Sequence, residues 1–450
     1  MSIAVIILAA GKGKRMESDL PKVLHKIAHA PLLAHSMKAT KFMKVEKTIL
    51  VVGHKSEAIT KVAKKIDPEI IIMQQNVQLG TAHAVAQARP ALEGFQGDVL
   101  VLYADTPFIS QQTINKIQNA RENADFTILG FESSNPGSYG RLVMEGSELK
   151  KIVEFNDASE KERGITLCNS GVMMAPANLL FSIIEKIESQ NTSGEFYLTD
   201  CVKLARKIGK TASVVKCSEE ETLGVNSRAD LAIAEAVFQS FARAASIANG
   251  VTLLAPETVF FSFDTIIGRD TVIEQNVIFG PGTTVEGKVH IRAFSHIEGA
   301  HIASGAIVGP YARLRPGVEL GENARIGNFV EVKNSRIAQN TKINHLSYIG
   351  DAKIGKDTNI GAGTVTCNYD GVMKHKTSIG SRTFIGSNTM IVAPINIGDD
   401  AITASGSVLT YDVPDDALAL GRANQVNKLG FAAKLRNIFK QRKRKRGLGK

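Results

Sequence analysis

The chain has 450 residues, of which 22% are charged and 44% hydrophobic, and its formal net charge at pH 7 is +10. This composition is typical of a globular protein with two or three domains and well-buried cores. Nine of the lysines and arginines lie within residues 434–450, which contain no acid, so the remaining chain is nearly neutral. The tail is therefore predicted to be disordered on its own, and no nucleic-acid-binding surface is expected.

The sequence carries no clear targeting or disulfide signal. Residues 3–8 (IAVIIL) are apolar but too short to span a bilayer, and no basic region precedes them. Neither a transmembrane segment nor a signal peptide is predicted, and a cytoplasmic location is the default. The four cysteines form no CxxC or Cys/His cluster, which argues against a zinc site and a disulfide framework.

The first half reads as alternating strands and helices. Residues 3–8, 49–54 and 98–105 are predicted buried strands with helical stretches between them, which indicates a doubly wound α/β sheet of the Rossmann-like class. Ligands bind at the carboxyl ends of the strands in such sheets. A glycine-rich turn at 11–15 and the carboxylate of Asp105 both fall at such ends.

The turn Gly11-Lys12-Gly13-Lys14-Arg15 is neither a Walker A loop, since Gly-Lys-Ser/Thr is missing, nor a dinucleotide fingerprint, since Met16 replaces the third glycine. Its free N–H groups and basic side chains favour a polyphosphate, although a plain tight turn is the alternative. Asp105 is a candidate Mg²⁺ ligand or a helix N-cap. Further on, Ser227 and Asp230 predict a capping box that opens a connecting helix ending near Gly250.

From about residue 267 to residue 413 an aliphatic residue recurs every six positions, with occasional five-residue steps. A short fixed period marks a solenoid whose units bury their apolar residues by stacking, and the hexapeptide form is the parallel β-helix, here resembling the left-handed kind. The predicted inward positions are Ile267, Ile273, Phe279, Val285, Ile291, Ile297, Ile302, Val308, Leu314, Leu320, Ile326, Val332, Ile337, Ile343, Ile349, Ile354, Ile360, Ile379, Ile385, Ile391, Ile397 and Ile402.

Two cations are predicted to stack on this β-helix. Arg315 and Lys333 are 18 residues apart and each follows an inward aliphatic residue, so both should point outward about 4.8 Å apart, one strand spacing. Their repulsion favours a phosphate or carboxylate between them, and a solvated cationic rib is the alternative. Residues 367–378 leave the six-residue register and are expected to loop out of the coil.

The histidines of this half bear on two possible chemistries. They are His290, His296, His301, His345 and His375. A zinc-dependent β-helix enzyme would need three converging histidines, and no two of these are 18 residues apart, which disfavours that class. A histidine base suits amide formation at neutral pH.

Short motifs carry a resemblance to a known family. In the first half, LAAGKGKRM, PKVL, QLGTAHAV, YAD, SYGR, IVEFNDA, CNSGV and GVN resemble the sugar-nucleotide pyrophosphorylases. With PYARLRPG, GNFVEVK, NHLSYIGDA, NIGAGTVTCNYDG and ALGRA in the second half, the chain closely resembles the bacterial bifunctional GlmU family over residues 3–425. That family fuses a glucosamine-1-phosphate N-acetyltransferase to an N-acetylglucosamine-1-phosphate uridylyltransferase. Ala104 departs from the usual YGD.

The resemblance implies an organisation and a set of partners. The uridylyltransferase domain would span 1–226, a helical linker 227–250, the left-handed β-helix acetyltransferase domain 251–425 and a basic tail 426–450. The substrates would be UTP and acetyl-CoA with their sugar phosphates, the cofactor Mg²⁺, and the assembly a homotrimer that shares acetyltransferase sites between subunits.

The resemblance also implies site residues. For UTP and UDP-N-acetylglucosamine they are Leu8, Ala9, Ala10, Gly11, Gly13, Arg15, Lys22, Gln75, Gln78, Gly80, Thr81, Tyr103, Gly140, Glu154, Asn169 and Asn226. Asp105 and Asn226 would hold Mg²⁺. For glucosamine-1-phosphate they are Arg315, Lys333, Tyr348, Asn359 and Lys374, and for acetyl-CoA Ala362, Asn368, Tyr369, Ser387, Ser405 and Arg422. His345 would be the catalytic base and Glu331 its orienting carboxylate.

Two further hypotheses remain open at this stage. The chain could be a nucleotidyltransferase alone, with the β-helix as an oligomerisation scaffold, although a scaffold needs neither His345 nor the pair Arg315 and Lys333. It could also be an interaction protein that acts through its basic tail.

Overall fold

A computed structural model describes residues 2–446 as two compact units. The first comprises Met1–Ala248 with Phe260–Asp264, and the second Asn249–Val259 with Thr265–Lys450.

The first unit is built on one twisted sheet. Its main strands, in spatial order, are Ala212–Cys217, Phe126–Glu132, Leu167–Pro176, Asp98–Tyr103, Ile3–Ala9, Val45–Val52 and Ile71–Gln74. The strand Leu167–Pro176 runs antiparallel to its neighbours and also pairs with the hairpin Arg141–Glu145 and Glu148–Val153. A separate small pair is formed by Lys26–Ile27 and Ala30–Pro31.

Helices cover both faces of this sheet. They are Leu32–Ala39, Ser56–Ile66, Thr81–Ala86, Gln111–Arg121, Glu160–Arg163, Ala177–Ile184, Asp200–Lys207 and Arg228–Ala248. Neighbouring residues of the first strand enter different cores, Ile6 on one side and Ile7 on the other. A strand buried on both faces needs a continuous apolar run rather than an alternating one. The predicted α/β class and its three strands are therefore confirmed.

The helix Arg228–Ala248 is, among the described residues, long and apolar enough to cross a membrane by length and composition alone. It is nevertheless fixed to the first unit by polar side chains. Glu235 accepts a hydrogen bond from the backbone N–H of Ala28 at 2.7 Å, and the Gln239 amide bonds both N–H and C=O of Phe261 at 2.8 Å. The predicted capping box is present, with Ser227 and Asp230 bonded reciprocally. These contacts are typical of a helix packed on a folded domain.

The second unit is a left-handed parallel β-helix with three sheets, here called faces 1, 2 and 3. Face 1 contains Thr252–Leu253, Val272–Ile273, His290–Ile291, Ile307–Val308, Arg325–Asn328, Lys342–His345, Asn359–Ile360, Phe384–Ile385, Ile402–Thr403 and Leu418–Ala419. Face 2 contains Ile266–Ile267, Thr284–Val285, Ala300–Ile302, Val318–Leu320, Arg336–Ile337, Ala352–Ile354, Thr377–Ile379 and Ile395–Ile397. Face 3 contains Ile278–Phe279, His296–Ile297, Arg313–Leu314, Glu331–Lys333, Tyr348–Gly350, Val365–Cys367, Met390–Val392 and Val408–Leu409.

The predicted inward residues are buried inside these coils, except for Ile267, which is half-buried in the first coil, and Ile402. Ile402 is 48% exposed, whereas Thr403 is 1% exposed, so the prediction at Ile402 is wrong by one residue. The six-residue step from Ile397 leads to Thr403, whose hydroxyl hydrogen-bonds within the coil to the N–H of Gly386 at 3.0 Å. A buried threonine thus takes an aliphatic position without leaving its polar group unsatisfied.

The C-terminal segment departs from prediction. Residues Phe431–Lys445 form an α-helix, so the expectation of disorder from residue 434 is wrong for the described part, and residues 447–450 lie outside the described residues. Its last turn carries Arg442, Lys443, Arg444 and Lys445, cations that interact favourably with the negative end of a helix dipole.

Candidate active sites

The first candidate site is a cleft of about 250 Å³ at the carboxyl ends of strands Ile3–Ala9 and Asp98–Tyr103. The predicted residues in its walls are Leu8, Ala9, Ala10, Gly11, Lys22, Gln75, Gln78, Gly80, Thr81, Tyr103 and Asp105. Val23, Ala84 and Glu195 also line it and were missed by sequence reasoning. Glu195 lies far along the chain from every strand end that was considered, so no local signal marked it.

Lys22 joins the two predicted metal ligands. Its ammonium donates to the carboxylate of Asp105 and, at 3.1 Å, to the amide oxygen of Asn226. The two oxygens that bind the Lys22 ammonium are of the type that Mg²⁺ prefers as ligands. Mg²⁺ sites commonly use substrate phosphates as further ligands. Asp105 is not a helix N-cap, because the next helix, Gln111–Arg121, is capped by Ser110. No group of three or more His, Cys, Asp or Glu suited to a metal is found among residues 2–446, so a metal here would depend on these two oxygens and its substrate.

The glycine-rich turn lies directly against Lys22. Gly13 has φ of 60°, and a Cβ on it would lie 2.7 Å from the Cβ of Lys22. A larger residue would therefore displace the lysine that bridges Asp105 and Asn226. Arg15 follows on the turn Lys14–Met16 but is exposed and outside the cleft walls.

The opposite wall is a rigid segment around Gly80. The Gln75 amide donates to the Gly80 carbonyl at 3.2 Å, and the Gln78 amide donates to the Gln75 carbonyl at 3.3 Å. Gly80 has φ of 117°, and a Cβ on it would meet the Phe196 backbone at 2.5 Å. Only glycine fits there, so this segment presents its side-chain amides at fixed positions.

Three predicted sugar contacts come together beside Tyr103. Asn169 N–H donates to the Gly140 carbonyl at 2.8 Å, and a Cβ on Gly140 would lie 3.4 Å from a carboxylate oxygen of Glu154. Glu154 also accepts from the Thr199 hydroxyl at 3.0 Å, a partner that sequence reasoning missed. Burial raises the pKa of Glu154 above its usual value, and burial likewise raises the pKa of Tyr103, which stays a neutral hydroxyl.

The second candidate site lies on the β-helix at the corner between faces 1 and 3. His345 ends a face 1 strand, and its Nδ1 lies 2.7 Å from the amide oxygen of Asn328. Because an amide oxygen can only accept, Nδ1 carries a proton, and in the neutral imidazole the lone pair is then on Nε2. The expected orienting carboxylate, Glu331, instead accepts from Arg315 at 2.9 Å. In this structure the group that contacts His345 Nδ1 is Asn328, and the role of Glu331 as the orienting carboxylate stays a prediction.

The backbone above His345 forms a continuous ladder along that corner, one residue per coil. The Gly363 N–H donates to the His345 carbonyl at 3.1 Å, the Asn388 N–H to that of Ala362 at 2.7 Å, and the Gly406 N–H to that of Ser387 at 2.8 Å. The Arg422 guanidinium donates to the carbonyl of Ser405 at 2.8 Å. The ladder places four predicted acetyl-CoA contacts in line above the histidine: Ala362, Ser387, Ser405 and Arg422.

A cationic cluster occupies face 3. Glu331–Lys333 pairs in register with Arg313–Leu314, as the 18-residue spacing predicts for Arg315 and Lys333. Neighbouring Lys374 is the main cause of a lowered pKa at Lys333, and Arg315 contributes in the same direction. Three cations this close together are suited to a dianionic phosphate.

Polar groups surround this cluster. Asn368 donates to the Asp351 carboxylate, and Asn334 donates to its other oxygen at 2.6 Å. A Cβ on Gly350 would lie 2.5 Å from the Tyr348 hydroxyl and 2.7 Å from the Asn368 amide nitrogen, so both side chains lie over that glycine.

Two predicted residues lie apart from the cluster within one chain. Asn359 belongs to face 1, where it pairs with Lys342 and lines a separate cleft with Arg325 and Asp357. Tyr369 is 59% exposed on the segment between strands Val365–Cys367 and Thr377–Ile379. This segment leaves the coil as predicted.

Two of the other histidines on the β-helix each lie beside a carboxylate. His290 lies 2.9 Å from a Glu274 oxygen and His301 3.1 Å from a Glu286 oxygen, so each has its own carboxylate. Four cysteines are free thiols in this structure: Cys168, Cys201, Cys217 and Cys367.

Comparison with known proteins finds family models that match parts of both units. Residues 5–163 match the MobA-like NTP transferase domain, residues 299–334 the bacterial transferase hexapeptide repeat and residues 376–411 the hexapeptide repeat of succinyl-transferase. "Bifunctional protein GlmU" of Ruegeria sp. (strain TM1040) is 59% identical over 449 residues, covering 100% of both chains. The protein of the same name from Roseobacter denitrificans is 58% identical, over 100% of both chains. That from Jannaschia sp. is 56% identical, over 97% of this chain and 96% of the relative.

The chain belongs to the GlmU family. The resemblance drawn from short motifs is therefore confirmed over the whole length. Like its GlmU relatives it combines an NTP transferase domain with a hexapeptide-repeat transferase domain, and it is a bifunctional enzyme.

Proposed function

We propose that this protein makes UDP-N-acetylglucosamine in two steps: acetyl transfer from acetyl-CoA to glucosamine-1-phosphate, then uridylyl transfer from UTP to N-acetylglucosamine-1-phosphate. The observation that carries this proposal is that each unit brings its own set of predicted site residues together. Lys22, Asp105 and Asn226 converge in the first unit, and in the second His345 lies in line with the residues predicted to contact acetyl-CoA.

In the uridylyltransferase half, the sugar phosphate oxygen attacks the α-phosphorus of UTP in line and pyrophosphate leaves. The wall from Gln75 to Thr81 would hold the uracil, and Glu154 with Asn169 would hold the sugar. Asp105 and Asn226 supply the oxygens that would hold Mg²⁺, which when bound stabilises charge on the phosphates. Lys22 and the N–H groups around Gly13 neutralise the remaining phosphate charge.

In the acetyltransferase half, His345 Nε2 takes a proton from the sugar's 2-amino group as the nitrogen attacks the thioester carbonyl. The C–S bond of the tetrahedral intermediate then breaks, and the coenzyme A thiolate leaves and takes that proton from His345. Asn328 keeps the proton on Nδ1, so Nε2 remains basic. The N–H of Ala362, one coil above, is the proposed donor to the oxyanion. Arg315, Lys333 and Lys374 bind the sugar phosphate, while coenzyme A contacts Ser387, Ser405 and Arg422.

The active assembly is proposed to be a homotrimer in the cytoplasm, with acetyltransferase sites shared between subunits. Asn359 and the cationic cluster lie on different faces of one β-helix, so a second chain would be needed to bring them together. Beside His345, an exposed apolar stack supports such contacts: the rings of Phe294 and Tyr311 lie 4.8 Å apart, those of Tyr311 and Phe329 5.1 Å apart, and Leu346 continues the row at 63% exposure.

One experiment separates this proposal from a nucleotidyltransferase with an inert β-helix. The purified protein is incubated with glucosamine-1-phosphate, acetyl-CoA, UTP and Mg²⁺, and free thiol and pyrophosphate are followed separately. Release of both products is expected. Pyrophosphate that forms only when N-acetylglucosamine-1-phosphate is supplied, without thiol release, would favour the scaffold alternative, and release of neither product would favour a non-enzymatic role.

A further inference from the structure

The helix Phe431–Lys445 lies beyond the last proposed acetyl-CoA contact, Arg422, and none of its residues is buried. Its larger apolar side chains are Phe431, Leu435, Ile438 and Phe439. At about 100° per residue these four share an arc of about 100°, one stripe along the first turns of the helix. Two of them, Phe431 and Phe439, are 43% and 58% exposed. Such a stripe in water is costly unless something covers it.

The rest of the helix is strongly cationic. It carries seven lysines and arginines and no acid. On the helical wheel Lys440 and Arg444 lie opposite the apolar stripe, Arg436 and Lys443 lie on one flank of it, and Lys434 and Lys445 lie at the other edge. Arg442 lies in line with the stripe, beyond its last apolar residue. A fifteen-residue helix of this kind is marginally stable in water on its own, so a surface that takes up the stripe would also stabilise the helix.

We propose that this helix binds the surface of an anionic lipid bilayer and lies in the plane of the interface. Phe431, Leu435, Ile438 and Phe439 would enter the acyl boundary while the cations contact lipid phosphates. A nucleic acid would use the same cations but has no use for the apolar stripe, which is why the lipid surface is the better match. The enzyme would then be a peripheral membrane protein through this helix alone.

The chain contains no tryptophan, so a single introduced tryptophan reports its own surroundings. Phe439→Trp places the reporter on the stripe, and Ala433→Trp places it about 170° from the centre of the stripe as a matched control. Both full-length variants are mixed with vesicles of phosphatidylcholine alone or with about one third phosphatidylglycerol. We expect a blue shift of fluorescence only for Phe439→Trp and only with the anionic vesicles.

Co-flotation with the same vesicles tests the two components separately. Leu435→Asp should reduce vesicle binding by roughly tenfold or more through the lost insertion, and the double variant Arg436→Gln/Lys440→Gln should reduce it and weaken its salt dependence. Asn437→Gln serves as the neutral control. Absence of flotation, equal binding to uncharged vesicles, or a Leu435→Asp variant that binds as well as the parent would each overturn the proposal. Binding to duplex DNA that survives Leu435→Asp, without a blue shift on vesicles, would assign the helix to polyanions instead.

Discussion

The Oδ1 atom of Asn328 lies 2.7 Å from Nδ1 of His345 across two neighbouring coils of the β-helix. This contact fixes both the ring orientation and the tautomer of the proposed base. In the same coils Glu331 is engaged with Arg315 at 2.9 Å, which ties it to the phosphate site rather than to the histidine. We therefore expect Asn328 and Glu331 to have separable roles.

This separation gives the first prediction. His345→Ala should lower kcat for acetyl transfer by about 10² to 10⁴, the usual contribution of a positioned base, and Asn328→Leu should lower kcat by a smaller factor of about 10 to 10². Glu331→Gln should mainly raise KM for glucosamine-1-phosphate, because it frees Arg315 from its carboxylate. Initial rates of thiol release measure all three. If Glu331→Gln lowers kcat as far as His345→Ala while Asn328→Leu has no effect, the carboxylate orients the base after all.

Sequence reasoning missed Asn328 for a definite reason. Residues facing each other on adjacent coils are 18 apart only where all hexads are complete, and one five-residue step lies between Val332 and Ile337. The spacing at this corner is therefore 17, as it is for Asn334 with Asp351 and for Asp351 with Asn368. The period itself predicted the three faces, the inward residues and the pair Arg315 and Lys333, because these depend on local spacing. Glu195 and Thr199 depend on long-range packing, which no period encodes.

The second prediction concerns the metal ligands in the first unit. Asp105→Ala should reduce uridylyl transfer by at least about 10²-fold, because it removes the carboxylate of the proposed metal site and leaves only the amide oxygen of Asn226. Acetyl transfer should stay unchanged, because its site is built on a separate core. Pyrophosphate release and thiol release are measured on the same preparation. A folded variant that loses both activities would contradict the two-site arrangement.

The third prediction uses Gly13 and has a matched control. Gly13→Ala introduces strain at φ of 60° and a Cβ 2.7 Å from the Cβ of Lys22, so KM for UTP should rise several-fold. Gly94→Ala introduces the same kind of strain at φ of 72° where nothing lies within 4 Å of a new Cβ. Both changes should lower the free energy of unfolding by about 1 kcal/mol, measured by denaturant titration. Equal effects on KM for UTP would mean that the contact with Lys22 is irrelevant.

The fourth prediction concerns the phosphate cluster and pH. Lys333→Ala should raise KM for glucosamine-1-phosphate much more than KM for acetyl-CoA. Because Lys374 lowers the pKa of Lys333, the binding ammonium is lost at a lower pH than for an isolated lysine, and affinity for the sugar phosphate should fall as pH rises through that pKa. Lys374→Gln should weaken binding overall and move this fall to higher pH.

Lys376→Gln is the control for that experiment, since it removes one charge from the same segment without being among the groups that shift Lys333. The pH dependence of kcat/KM for glucosamine-1-phosphate is compared across the three proteins. A midpoint that moves equally in both single variants would indicate a general charge effect rather than the specific pair.

The fifth prediction concerns the C-terminal helix and acetyl-CoA. Deleting residues 434–450 should leave uridylyl transfer unchanged and alter kcat/KM for acetyl-CoA little at physiological ionic strength, where the screening length is about 8 Å. The competing hypothesis is that these cations help to capture the polyanionic coenzyme A near Arg422. A several-fold loss for acetyl-CoA that disappears at high salt would support that capture role.

The backbone ladder from His345 through Ala362 and Ser387 to Ser405 has a consequence for chain length. Each step is one coil, about 4.8 Å, so the base and the far end of the ladder are separated by a whole number of coils. The number of coils, rather than the size of any side chain, thus sets the distance from the base to the far end of the ladder. Inserting or removing one complete coil between Ala362 and Ser405 would change the measured length in a single step while each remaining coil keeps its core. A β-helix of this kind could therefore fit acyl carriers of different lengths by a change in the number of its coils alone.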